Sequence, residues 1–388
     1  MTDNKLNTLS LYIHVPFCAR KCLYCDFLSA PADDETKDRY IQALLREINL
    51  KSEFYKQYKV DSIFFGGGTP SVLVASQIQD VMQMITKKFT LVEDPEISIE
   101  VNPGTADRNK LQIYFRSGIN RLSIGLQSAD NRELQIIGRI HTYEDFLQTY
   151  EASRLAGFQN VNIDLMSALP GQTISSYQET LQKVLRLRPE HISAYSLIIE
   201  EGTPFFARYG EVSSIVERGQ YPLIPDEETE RTMYELTDDL LRKNGYHRYE
   251  ISNYAKDGYE CRHNKGYWER HNYLGLGLGA ASLIENQRWN NDNRLSYFIE
   301  GMFEKRNEQV LTIKEQMEEF MFLGLRFIKG VSGKKFLKDF GVSMESVYEK
   351  QISKLVKEQL LIQTKEGNLR LTKRGIDVSN IVMAEFLL

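Results

Sequence analysis

Leu9-Ser-Leu-Tyr-Ile-His-Val15 runs without a break into Pro16-Phe-Cys18-Ala-Arg-Lys-Cys22-Leu-Tyr-Cys25-Asp-Phe27. The first seven residues alternate apolar and polar side chains, the period of a half-buried strand, and Pro16 ends that strand because it has no N–H for a ladder. The loop therefore stands at the strand's C-terminal end. It holds three of the chain's four cysteines within eight residues. Three thiolates at C-x3-C-x2-C spacing can hold three corners of a metal cluster and leave the fourth open to a ligand.

Outward from this stretch, strands and helices take turns. From Asp34 to about Tyr58, Ile41, Leu44, Leu45 and Ile48 recur at helical spacing. Strand-like Val60–Phe65 leads to a Gly66-Gly-Gly-Thr-Pro70 turn and a helix from Val74 to Phe89. Strand Glu96–Asn102 is followed by a helix ending near Gly118, and strand Arg121–Ser128 by helical material to Ala156. Strand Val161–Ser167 and a helix from Ser175 to Leu187 precede a sixth strand, His191–Ile198. Six such units joined by short turns require parallel strands with right-handed crossovers. The expected fold class is α/β, a partial (β/α)6 barrel of the TIM type over residues 1–225. The barrel is preferred to an open doubly wound sheet because the unusual residues cluster at strand C-termini, where barrel sites assemble.

Around Gly210, Gly219, Pro222 and Pro225 the chain reads as a connection, and Asp226–Asn244 as a helix. Residues 226–305 form a connecting segment, loop-rich between Tyr246 and Asn293. Residues 306–388 form a third unit: helices at Glu315–Phe327, Lys334–Phe340 and Met344–Glu358, then a hairpin about Lys365-Glu-Gly. This is a mainly helical, winged-helix-like arrangement. Its 14 Lys/Arg against 11 Asp/Glu leave a net of only +3, not the basic stripe of a DNA reader.

With 42% hydrophobic residues, 26% charged residues and a net charge of −5, the 388-residue chain has no global field for nucleic acid. No apolar run is long enough for a membrane span, and the start Met-Thr-Asp-Asn-Lys is not a signal peptide, so the expected compartment is the cytoplasm. Three crowded cysteines in such a chain read as metal-binding or redox chemistry rather than a disulfide framework. A closed zinc site needs a fourth ligand, which Cys261 would have to supply. The Gly66–Pro70 turn serves either a tight bend or the close approach of a ligand to backbone. Glu100 and Asn102 end a strand with a carboxylate and an amide, and Asp164 lies between two apolar neighbours. Gly275-Leu-Gly-Leu-Gly279 lacks the spacing and the βαβ context of a dinucleotide fingerprint and reads as a close-packed turn.

The C-x3-C-x2-C loop with an aromatic residue before its last cysteine resembles the radical S-adenosylmethionine family. The resemblance implies a [4Fe–4S] cluster on Cys18, Cys22 and Cys25, with S-adenosylmethionine on the unique iron as the source of a 5′-deoxyadenosyl radical. Tyr-Ile-His-Val-Pro-Phe-Cys18, Gly-Gly-Gly-Thr-Pro70, Ile-Glu-Val-Asn-Pro103, Leu-Ser-Ile-Gly-Leu-Gln-Ser128 and Asp164 with Leu-Pro-Gly171 are similar to the oxygen-independent coproporphyrinogen III oxidase group over most of the chain. By that likeness Tyr12, Gly67 and Glu100 contact the cluster-bound S-adenosylmethionine. Tyr24, Gly68, Thr69, Gln127, Arg139, Asp164 and Ile198 line the rest of the nucleoside cavity, which in the oxidase holds a second such molecule.

Two departures separate the chain from the oxidase. Phe27 stands where the oxidase has a further cysteine, and only 17 residues precede Cys18. Both point to the sister family, the HemW-type heme chaperones, as does His263-Asn-Lys-Gly-Tyr-Trp268, which resembles their H-N-x-x-Y-W signature. The resemblance implies heme bound through His263; His247, Cys261 and His271, nearby in sequence, are each a candidate second ligand. It also implies delivery to a heme-accepting protein, with a respiratory heme enzyme as the expected acceptor. Whether the chain is also an enzyme stays open, the alternative being porphyrinogen decarboxylation.

Overall fold

A computed structural model describes residues 7–210 and 221–387; the polar start, residues 1–5, and residues 211–220 of the Gly210–Pro225 connection, Gly219 among them, lie outside the described residues. Among the described residues twelve strands form one sheet. Its centre is β1 (Thr8–Val15), β2 (Lys59–Gly67), β3 (Thr90–Val101), β4 (Arg121–Gln127), β5 (Val161–Ser167) and β6 (His191–Ser196), all parallel and side by side in chain order. Helices α1 (Asp34–Ser52), α2 (Ala75–Lys88), α3 (Arg108–Arg116), α4 (Asn131–Ile136), α5 (Tyr143–Ala156) and α6 (Ile174–Leu187) make the crossovers. The sheet order is open, as a partial barrel requires.

Side-chain alternation explains why this sheet encloses a site rather than a solid core. Leu9, Leu11, Ile13, Ile63, Phe65, Ile97, Ile99, Leu122, Ile124, Ile163 and Leu165 belong to one continuous core with Ile41, Leu44, Val81, Ile85 and Leu111 of the helices. Apart from Phe64 and Met166, the alternate positions are polar or small: Ser10, Tyr12 and His14; Ser62 and Gly66; Glu96, Ser98 and Glu100; Arg121, Ser123, Gly125 and Gln127; Asn162 and Asp164; Ser193 and Tyr195. A period of two places that whole set on the inner face. Cap chemistry fixes the helix starts, with Asp33, Asp107, Thr142 and Thr173 each accepting from a first-turn amide.

The stretch expected to be loop-rich is more regular than its composition suggests. β7 (His247–Arg248) and β8 (Asn253–Ala255) extend the sheet antiparallel beyond β6. β9 (Tyr273–Leu276) pairs parallel with β1, and β10 (Ala281–Ile284), β11 (Gln287–Asn291) and β12 (Lys305–Val310) continue outward. These strands are two to six residues long, too short for periodicity to register. Gly275–Gly279 ends β9, and Gly277, at φ +98°, packs against the Tyr40 hydroxyl.

The C-terminal unit has its own core around Met321, Leu325, Phe336, Tyr348 and Leu355, built by helices Ile313–Gly324, Gly333–Phe340 and Met344–Lys357 and the hairpin β13 (Leu361–Gln363) and β14 (Leu369–Leu371). It docks through Arg270 and Arg288 on Glu319 (2.9 and 2.7 Å) and through Arg326 over the Trp268 ring (4.1 Å). Among the described residues no helix is long and apolar enough to cross a membrane.

Candidate functional site

A cavity of about 510 Å³ opens inside the barrel at the strand C-termini. Cys18, Cys22 and Cys25 line it together with Tyr24, Gly67, Gly68, Thr69, Glu100, Gln127, Arg139, Asp164 and Ile198. Every site residue expected from the sequence is therefore on this wall except Tyr12 and His263. Tyr12 lies just behind it, its ring stacked on Phe64 (6.4 Å) and its hydroxyl on His14 Nδ1 (3.2 Å). Burial, then the nearby Glu100, pushes its phenol well above the ordinary range.

The cysteine loop is held at both ends. Ala30 N–H donates to Pro16 O (3.0 Å), Cys18 N–H to Ala30 O (3.2 Å), and Leu23 bonds Ile137 O and Phe205 N–H. The glycine turn is tied to it by Gly68 N–H to Val15 O (2.8 Å) and Thr69 N–H to Phe17 O (2.7 Å). Gly67 has φ +114°, and a Cβ at Gly68 would lie 2.6 Å from Phe17 O, so neither position admits a side chain without moving the loop.

A hydrogen-bond belt then runs across the wall. The Thr69 hydroxyl donates to Cys18 Sγ (3.5 Å), Asn102 Nδ2 to Thr69 Oγ1 (2.8 Å), Arg139 Nη1 to Asn102 Oδ1 (2.9 Å) and Arg139 Nη2 to the Tyr24 hydroxyl (3.0 Å). The belt begins on one cysteine and ends between the other two. Beside it Gln127 adopts a left-handed conformation (φ +67°), strain at a non-glycine residue that local packing must hold in place. Gln127 Oε1 and Arg139 Nε are buried without protein partners. Glu100 is pushed up to about 8 by burial and then by Asp164, whose own carboxyl burial also raises.

The donor set suits a cluster with one open corner. The three thiols share one wall, and burial, with the neighbouring thiols adding to it, displaces Cys25 upward. Among the described residues no group of three or more His, Cys, Asp or Glu is gathered for a single metal ion. Cys261, which a closed zinc site would require, is fully buried off the cavity; its thiol donates to Glu96 (3.4 Å) and is pushed up to about 12 by burial. The zinc reading therefore fails on geometry. Two orphaned polar atoms and a glycine turn facing the thiols fit a polar ligand at the open corner.

His263 sits on a helix, Arg262–Trp268, not in a loop. It is 1% exposed, its Nδ1 bonds Ser62 Oγ (2.9 Å), its Nε2 bonds the Tyr267 hydroxyl (3.0 Å), and its ring stacks on Phe64 (5.2 Å). Burial pushes its pKa down to about 3. His247 is engaged with Glu260 and His271 with Asp61. Neither lines the cavity.

The cavity also includes residues that sequence reasoning passed over: Arg121, Ser123, Asn162, Ser193 and Tyr195. The signal was present. Arg121, Ser123, Gly125 and Gln127 are every second residue of β4, an inward polar stripe that a count by strand ends misses.

Residues 12–184 match the Radical SAM superfamily and residues 311–378 the HemN C-terminal domain. Barrel, cysteine loop and glycine turn are thus those of a radical S-adenosylmethionine protein, the class that carries a [4Fe–4S] cluster and S-adenosylmethionine. Within that class the chain belongs to the family of the heme chaperone HemW. It is 37% identical to heme chaperone HemW of Lactococcus lactis over 98% of this chain and 97% of that one, and 37% identical to heme chaperone HemW of Bacillus subtilis over 97% and 99%. The coproporphyrinogen III oxidase (HemN) structure from Escherichia coli superposes with a TM-score of 0.84 over 98% of this chain and 90% of that one. At 22% identity that likeness speaks to fold.

Proposed function

We propose that the chain is a heme chaperone, binding heme and passing it to an acceptor protein. The observation that carries this reading is end-to-end sequence identity with curated heme chaperones, whereas the likeness to the oxidase is one of fold. Phe27, 60% exposed on the cavity rim where the oxidase has a cysteine, supports the choice. In this reading Cys18, Cys22 and Cys25 hold the cluster, which supplies one-electron chemistry when bound. Gly67 and Glu100 face the S-adenosylmethionine with Tyr12 behind them, and Tyr24, Gly68, Thr69, Gln127, Arg139, Asp164 and Ile198 enclose it. The Asn102–Arg139–Tyr24 belt orients the wall, and Glu100, raised to about 8 by burial and then by Asp164, would be drawn toward its carboxylate form by a cationic amine beside it.

His263 is the heme ligand of this reading, and its two ring contacts must break for iron to bind. The acceptor is a heme-dependent respiratory enzyme and the compartment the cytoplasm. Heme titration of the purified protein under anaerobic conditions tests the reading through a Soret band that saturates at a defined stoichiometry. Turnover of coproporphyrinogen III in the presence of reductant and S-adenosylmethionine, without saturable heme binding, would establish the oxidase instead.

A further inference from the structure

The inner end of the cavity holds a group to which nothing above gives a role. Arg121 opens β4, lines the cavity and is 2% exposed. Among the described residues its guanidinium has no ion-pair partner within 4 Å, and its Nε is buried without an acceptor. The carboxyls that act on it from a distance are occupied elsewhere. Glu96 accepts from the backbone amides of Arg262 (2.9 Å) and His263 (3.0 Å), and Asp164 from Asn162 Nδ2 (2.7 Å) and the Ser123 hydroxyl (3.3 Å). A buried guanidinium without an acceptor is costly, so the fold pays here for something the protein alone does not return.

The charge balance gives the sign of the missing partner. Two guanidinium groups, Arg121 and Arg139, line the cavity, each with its Nε buried without a protein acceptor, so the unmet groups here are cationic donors. A planar guanidinium matches a carboxylate through two parallel N–H···O bonds. We propose that Arg121 makes the inner end of the cavity a carboxylate-binding site for a ligand entering through the mouth. Two ligands carry that chemistry. One is heme, through a propionate, and this arm rests on the chaperone reading. The other is S-adenosylmethionine, through the amino-acid end of a molecule beyond the one at the cluster.

The test is a binding cycle on the full-length, cluster-containing protein. Wild type and Arg121→Gln are titrated with heme and heme dimethyl ester, and with S-adenosylmethionine and its decarboxylated form. For the ligand that uses the site, Arg121→Gln weakens the parent compound about tenfold and the variant no longer distinguishes it from its partner lacking the carboxylate. Arg121→Lys, which keeps the charge without the fork, falls between the two and carries the cycle if Arg121→Gln does not fold. Equal weakening of both members in both pairs overturns the proposal and leaves the guanidinium to Glu96 and Asp164. Absence of heme binding to wild type defeats the chaperone reading alone, since the S-adenosylmethionine pair still decides this one.

Discussion

The cysteine wall and the histidine helix meet at Phe64, which lines the cavity on one side and stacks against His263 on the other, yet the two regions are built to opposite rules. The wall is open: its thiols are partly exposed, and Gln127 Oε1 and Arg139 Nε lack protein partners. The helix is shut, with both His263 nitrogens bonded and the ring buried. Unmet polar groups mark a site awaiting a ligand, and a fully met one marks a packed state that must be undone before it can bind anything. The difference separates a preformed cofactor site from a histidine whose chemistry requires movement.

The largest effect expected is on the open side. Cys18→Ala, Cys22→Ala or Cys25→Ala each removes one of three corners, and iron and acid-labile sulfide in anaerobically purified protein should fall to background. The unfolding midpoint of the cluster-free protein should hardly move, because each thiol is half-exposed and none anchors a core. Cys261→Ala should leave iron unchanged. Loss of iron on that substitution would put Cys261 in the metal site and erase the contrast between open and shut.

His263→Ala comes next. It deletes two hydrogen bonds and a stacked ring from a closed pocket, with an expected loss of about 2–4 kcal/mol in urea unfolding. It should also abolish the saturable Soret change. A variant that loses stability but binds heme normally would make His263 a packing residue only.

The two regions should also answer pH in opposite directions. Glu100 is raised from 4.5 to about 8, so between those values the unfolded chain has shed a proton that the native state still holds, and stability falls as pH rises. His263 is lowered from 6.5 to about 3, so the unfolded chain binds a proton first as pH falls, and stability falls in that direction. Glu100→Gln should therefore gain on wild type, by about 3–4 kcal/mol, as pH goes from 5 to 8. Paired urea titrations at the two pH values read this directly, and a constant difference would mean that Glu100 is ionised throughout.

The contrast was half legible in the sequence. The open wall announced itself because its chemistry is local: C-x3-C-x2-C and Gly66–Thr69 are contiguous, and the strand and helix periods around them place both at one barrel mouth. Arg121 escaped notice because it stands at the opposite end of its strand from the expected site, and only the inner-face stripe connects it to the cavity. The closure of His263 was invisible because its partners Ser62, Phe64 and Glu96 come from strands about 170 to 200 residues upstream, and no spacing within His263–Trp268 encodes them. For the same reason β7 to β11 read as loop. Their regularity is lent by the sheet edges on which they pair.

The smallest expected effect probes what holds the shut region closed. Arg326 of the C-terminal unit lies over the Trp268 ring at 4.1 Å and reaches Glu250 at 3.4 Å, so it pins the end of the helix that carries His263. Glu250 keeps its bonds from Ser252 N–H and Asn253 Nδ2 (both 2.7 Å) when Arg326 is removed, which confines the loss to the cation–π contact and one ion pair. Arg326→Ala should cost about 1 kcal/mol and alter the Trp268 contribution to fluorescence. If exposure of His263 limits heme capture, loosening this pin should raise the heme association rate while leaving the final Soret spectrum unchanged, since the ligand is the same once reached. An unchanged rate together with the loss of binding in His263→Ala would mean that heme reaches the histidine from the Phe64 side, through the cavity, and that the C-terminal unit takes no part in opening it.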